Sequence, residues 1–316
     1  MSTTRSITHR FESVGLVVML LAITAIWGWT FLIVKDAVSS YPVMAFLALR
    51  FALASIILAP LALRGMSWKA LGVGSLIGVA VGFGYLFQTF GLQSTSAANA
   101  GLLTGLYVIF TPVIGRVLYS TPMPRMTIFA ATLGLAGTAM LTLSPGQGIG
   151  TGDILEVLTA VAFAVQIVWL GRYGSGWSST QIAFGQMAPV ALVFLLLAGL
   201  TEGTGVHWPS AWVWGAIILT AVLASALAFW VQTFVQQRMA PARTAIILLG
   251  EPAFAAGFAV WLGGERFSLV QWFGAGVILC SLLMHEIWMG TRQNAVSTPV
   301  VVPASPALTT RAGSDS

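Results

Sequence analysis

Ten apolar runs, each close to the length a helix needs to cross a bilayer, follow one another along the chain with only short polar punctuation between them. They cover residues 13–34, 42–63, 68–90, 97–117, 126–143, 153–170, 179–200, 211–236, 241–262 and 268–288. Only 7% of the residues are charged and 57% are hydrophobic, against about 25% charged in an ordinary soluble domain. So few charges cannot clothe a water-exposed surface, and 316 residues leave no room beside ten spans for a soluble catalytic domain. The expected fold class is an all-α integral membrane protein. No small-x-small cleavage pattern precedes Lys35, so the first run reads as a transmembrane helix and not as a removed signal peptide.

The charges that remain set an orientation. Fourteen Lys+Arg against nine Asp+Glu give a net charge of +5. Ten spans put both termini on one side, together with Arg5, Arg10, Arg64, Lys69, Arg116, Arg125, Arg172, Arg238, Arg243, Arg292 and Arg311. The other side receives Lys35 and Arg266, and Arg50 lies inside the second span. This bias predicts cytoplasmic termini in a bacterial-type inner membrane, and it explains the basic excess without a nucleic-acid partner.

The chain also repeats itself. Gln88-Thr89-Phe90 recurs as Gln232-Thr233-Phe234, 144 residues on, and Pro112 with Gly134 recurs as Pro252 with Gly274, 140 residues on. The difference of four residues corresponds to about one helical turn, expected near the ends of the third and eighth spans. Five helices per half is an odd number, so the halves enter the membrane from opposite sides. Transporters built from inverted repeats place the substrate at the midplane between them. The expected divisions are a cytoplasmic segment 1–12, repeats 13–145 and 146–289, and a disordered Thr-, Ser-, Pro- and Ala-rich cytoplasmic tail 290–316.

Several motifs, in order, resemble the drug/metabolite transporter superfamily and within it the ten-helix EamA-type exporters. They are Ile26-Trp27-Gly28-Trp29-Thr30-Phe31 with Lys35, then Arg50, Ser96-Ala97-Ala98-Asn99-Ala100, Glu251-Pro252 and Gly264-Glu265. The resemblance covers about 13–286 and implies export of small metabolites or drugs by alternating access. The chain looks most like the bacterial branch that exports amino acids, aromatic ones included. A lipophilic-cation exporter of the same fold is the alternative. The first repeat departs from the second in having Thr111 where the second has Glu251, and Arg125 where it has Glu265.

Other classes find little support. His9, His207 and His285 all lie in the tail, a loop or near a helix end, so an intramembrane Ser–His hydrolase lacks its base. No His-Glu-x-x-His zinc motif and no phosphate loop occur, and the lone Cys280 permits neither an intrachain disulfide nor a cysteine metal cluster. The chain is therefore not expected to be an enzyme or to hold a cofactor or metal. A channel would more readily show rings of like charge or a filter repeat. The oligomeric state is open, a monomer included.

Candidate site residues follow from depth and helical spacing. Glu251 lies near the centre of the ninth span, where a charge costs about 2.5–3.5 kcal/mol. It either meets substrate or a coupling proton, or it serves structure by capping N–H groups freed at Pro252 or pairing with Arg50. Tyr85 and Gln88 share one face of the third span; Thr104, Tyr107 and Thr111 share one of the fourth; Thr159, Phe163 and Gln166 form a comparable stripe in the sixth. Phe229 and Gln232 repeat Tyr85 and Gln88. Amides, phenols and rings suit an amphipathic solute, so Trp27, Tyr85, Gln88, Tyr107, Thr111, Phe163, Gln166 and Glu251 are expected to bind substrate. Pro112 and Pro252 are the candidate hinges. Glu156, one turn into the sixth span, is expected at the outer interface. Gly74, Gly78 and Gly82, and likewise Gly101 and Gly105, form ribbons suited to close helix contact.

Overall fold

The computed structural model describes residues 2–95, 97–142, 150–203, 206–261 and 266–297. Thirteen helices follow one another: α1 (Ser2–Ser40), α2 (Val43–Ala62), α3 (Trp68–Ser94), α4 (Ala97–Thr104), α5 (Tyr107–Tyr119), α6 (Arg125–Thr142), α7 (Thr151–Tyr173), α8 (Ser179–Thr201), α9 (Ala211–Leu219), α10 (Ala228–Gln236), α11 (Pro241–Leu248), α12 (Glu251–Trp261) and α13 (Leu269–Ser297). A π-helical stretch, Thr220–Leu227, joins α9 to α10 into one continuous span. Seven unbroken helices are long and apolar enough to cross a membrane. With α6, and with α4–α5 and α11–α12 each joined end to end, they make ten spans in two inverted sets of five.

The fourth and ninth spans are the broken ones, and they break at equivalent places. Ala97 and Pro241, Thr104 and Leu248, Tyr107 and Glu251, and Arg125 and Leu269 bound corresponding helices, and each pair is 144 residues apart. The sequence matched Thr111 to Glu251 through the prolines, but the helix boundaries match Tyr107 to Glu251. Four agreeing boundaries outweigh an uncertainty of one or two residues at any one of them. The bend expected at Pro112 lies earlier, at Gly105–Leu106, and Pro112 sits inside an intact α5. Pro252 is the second residue of α12, where its missing N–H would be unpaired in any case.

The main helix pairings run between the repeats: α3 against α7 and α8, α2 against α8, α6 against α13 and α1 against α12. Small residues permit the closest of them. A Cβ on Gly74 would stand 2.8 Å from Gly185 Cα, and one on Gly78 would stand 2.8 Å from the Gln186 carbonyl oxygen. Gly101, expected in a similar ribbon, has nothing within 4 Å of its Cβ direction. Two large buried clusters form the interior, one around Phe46, Phe51 and Met187, the other around Leu20, Ile246 and Leu249. The exterior carries exposed Leu192, Leu195, Leu196, Leu200, Leu269 and Phe273, a surface suited to lipid. Helix α13 continues through residues 290–297, where disorder was expected; once started, a helix adds residues cheaply. The rest of the tail, and Gly264-Glu265, lie outside the described residues.

Candidate functional site

Buried polar groups converge where the two broken spans meet the first, second, third, seventh and tenth helices. The cavity there has a volume of about 50 Å³, room for a few water molecules. Its wall includes Trp27, Arg50, Tyr85, Gln88, Tyr107, Phe163, Gln166 and Glu251. Of the residues expected to bind substrate, only Thr111 is missing. The stripe Thr104–Tyr107–Thr111 assumed one continuous helix, and the break between Thr104 and Tyr107 resets the helical phase. Thr104 and Tyr107 reach the cavity, whereas Thr111 is buried without a hydrogen-bond partner among the described residues. Thr159 is absent for another reason: its hydroxyl donates to the carbonyls of Leu155 and Gly84.

Glu251 opens the half-helix α12 and is 8% exposed. No salt bridge or hydrogen bond from a described residue reaches its carboxylate, so of the alternatives open to it the pair with Arg50 does not form. It stands in the first helical turn, where unpaired backbone N–H groups favour negative charge. Its neighbour across the interface is Gly28: a Cβ there would stand 2.7 Å from the Glu251 carbonyl oxygen and 2.9 Å from Ala255 N. The absence of a side chain at Gly28 lets the first span lie directly against the break.

Arg50 is 2% exposed and is held from two sides. Its Nε–H donates to Ser225 Oγ at 2.8 Å and an Nη2–H to Tyr85 Oη at 3.2 Å, with the guanidinium carbon 4.5 Å from the Tyr85 ring centroid. Ser225 belongs to the π-helical stretch, whose Ala224 carbonyl also accepts the Trp27 indole N–H at 2.9 Å. The irregular turns of the eighth span thus fix two cavity residues. Around them Tyr85 meets Phe51, Phe163 and Phe229 at ring centroid distances of 5.1, 5.5 and 6.0 Å. On the floor, Gln166, Gln186 and Gln232 exchange amide hydrogen bonds of 3.1 to 3.4 Å, and Gln186 donates onward to Thr233.

Glu156 corrects the expectation of an interfacial carboxylate. It is fully buried, and one of its oxygens accepts from Thr104 Oγ1 at 2.9 Å. Gly91 makes the room, since a Cβ there would stand 2.8 Å from Glu156 Oε1. Residues missed from the sequence are Ser225, Gln186 and Phe31, whose neighbours gave no polar stripe. Arg50 was noted, with Glu251 as one alternative partner, but its bonds go to Ser225 and Tyr85.

The sequence matches the model of the EamA-like transporter family over residues 14–143 and 150–285. The chain belongs to that family. An uncharacterized transporter from Archaeoglobus fulgidus is 32% identical over 266 residues, covering 84% of this chain and 83% of that one. The uncharacterized inner membrane transporter YedA from Escherichia coli is 28% identical over 275 residues, covering 84% and 88%. A crystal structure of a protein 18% identical in sequence superposes with a TM-score of 0.73 over 87% of this chain and 99% of that one, which establishes the likeness of fold. The protein is a multi-pass membrane transporter of this family.

Proposed function

We propose that this transporter exports amino acids, aromatic ones included, across the inner membrane by alternating access, with both termini in the cytoplasm. The observation that carries the reading is the presence in one aromatic cavity of a guanidinium and a carboxyl group that do not pair with each other. Arg50 is anchored by Ser225 and Tyr85, and Glu251 has no cationic partner among the described residues. A zwitterion offers a carboxylate for the first and an ammonium for the second, while Trp27, Tyr85, Phe163 and Phe229 offer faces to an aromatic side chain. The two breaks, at Gly105–Leu106 and Leu249–Gly250, are the natural hinges, with Pro112 and Pro252 stiffening the segments that follow. The inner-membrane location draws on the relative YedA and on the charge bias.

The test is purified protein in liposomes, offered a panel of radiolabelled amino acids and lipophilic cations. Saturable uptake of aromatic amino acids, accelerated by the same amino acid on the far side, is the expected result. A cation-only profile favours a drug exporter, for which Glu251 would be the counter-charge, and non-saturating flux favours a channel. Glu251 is further read as the proton-coupling residue. Glu251→Gln keeps shape and hydrogen-bonding capacity but removes the titratable charge. It should abolish uptake driven by a pH gradient and retain exchange at equal pH, at a higher half-saturating concentration. Wild-type pH-driven uptake by this variant removes Glu251 from proton coupling.

A further inference from the structure

The repeats place one carboxylate at the break of the ninth span and none at the break of the fourth, where Tyr107 stands in its place. The first repeat's break is reached instead from α7. Glu156 Oε2 accepts from the hydroxyl of Thr104, the last residue of α4, and Thr104 itself lines the cavity. The other oxygen, Oε1, is buried and has no hydrogen-bond partner among the described residues. A buried carboxyl with one unpartnered oxygen and no cation is costly unless it takes up a proton.

Among the described residues, no cation is paired with it. Helix α12 brings Glu251 and α7, its own helix, brings Asp153, both acidic, while α4 carries no charged residue and Arg50 of α2 is bound to Ser225 and Tyr85. On its own helix Asp153 accepts from Thr95, whose carbonyl takes the Lys35 amine of α1. Arg116 of α5 and Arg172 of α7 lie at the far ends of their helices. Arg238 of α10 donates to the Phe234 carbonyl, and Arg243 of α11 pairs with Glu286.

We propose that Glu156 is a second proton-carrying acid of the transport cycle, exchanging its proton with the cavity through the Thr104 hydroxyl. On loading, Thr104 Oγ1 accepts a proton from the cavity side as its own proton passes to Glu156 Oε2. On release both transfers run backwards, and no electrons change hands. Each break then has one acid beside it, both supplied by the second repeat: Glu251 on the broken helix itself and Glu156 one hydroxyl behind the break of the fourth span. The inference rests on the proton-coupled reading given above, but its test does not need a substrate.

Infrared difference spectra of the purified full-length protein, titrated from acid to alkaline pH, report the carbonyl stretch of protonated carboxyls. Glu156→Gln should remove a band that Glu251→Gln leaves in place. Thr104→Val should keep that band but slow its hydrogen–deuterium exchange roughly tenfold, and Thr104→Ser should restore the rate. In liposomes, Glu156→Gln should lower pH-driven phenylalanine uptake about tenfold while leaving equal-pH exchange within about twofold of wild type. An unchanged spectrum in Glu156→Gln overturns the proposal, as does unaltered exchange in Thr104→Val or uptake that follows a sodium gradient and requires Glu156. Should Glu156→Gln fail to fold, the Thr104→Val exchange rate decides. If the wild type moves no amino acid, the transport reading falls, and the band and its exchange still decide Glu156.

Discussion

Arg50 shows how a single buried charge is kept in place. Its Nε–H has one acceptor, Ser225 Oγ, and Ser225 is itself fully buried. Ser225→Ala leaves that N–H without a partner and should cost about 1–3 kcal/mol, read as a lower thermal midpoint in detergent. Ser55→Ala is the control: Ser55 also lies in a span, but its hydroxyl only adds a second bond to the Phe51 carbonyl of its own helix, so its midpoint should scarcely move. Arg50→Lys is no conservative substitute, because one ammonium cannot reproduce the two directions in which the guanidinium donates and its stacking on Tyr85.

At the scale of elements, close approach decides what the helices tolerate. Gly28→Ala puts a methyl group 2.7 Å from backbone at the ninth-span break, and backbone cannot move aside as a side-chain end can. The expected loss is about 1–3 kcal/mol of stability, with reduced transport in the surviving protein. Gly15→Ala in the same helix meets nothing within 4 Å and should leave both unchanged. Spans were legible in the sequence because hydrophobic length is a local property. Tyr85, Gln88, Phe163 and Gln166 were legible because polar and aromatic groups at helical spacing mark a face. The break at Gly105–Leu106 was not, since prolines offered a stronger signal nearby. The π-helical stretch was not either: Thr220–Leu227 is built of residues that suit an α-helix, and only the Trp27 and Arg50 side chains arriving from elsewhere give its geometry a use. Glu156 was misplaced because counting turns gives depth along a helix, whereas burial depends on Gly91 of another helix.

For the whole molecule the first question is orientation. A reporter active only outside the cytoplasm, fused after Met289, should give no signal if the charge bias is read correctly, and a strong signal there refutes cytoplasmic termini. Such a fusion tests all ten spans at once, because an error in any one of them inverts the C-terminus. The second question concerns manufacture. The major helix pairings cross from one repeat to the other, and the backbone amides of Met44 and Ala45 at the start of α2 donate to the carboxylate of Glu202, some 158 positions further along the chain. A ribosome that has delivered only the first five spans has therefore set into the bilayer helices whose partners do not yet exist. Biogenesis of this protein must include an interval in which half-built intermediates sit in lipid with polar groups such as Arg50 still waiting for their bonds, and the membrane's insertion and quality-control machinery has to shelter that interval.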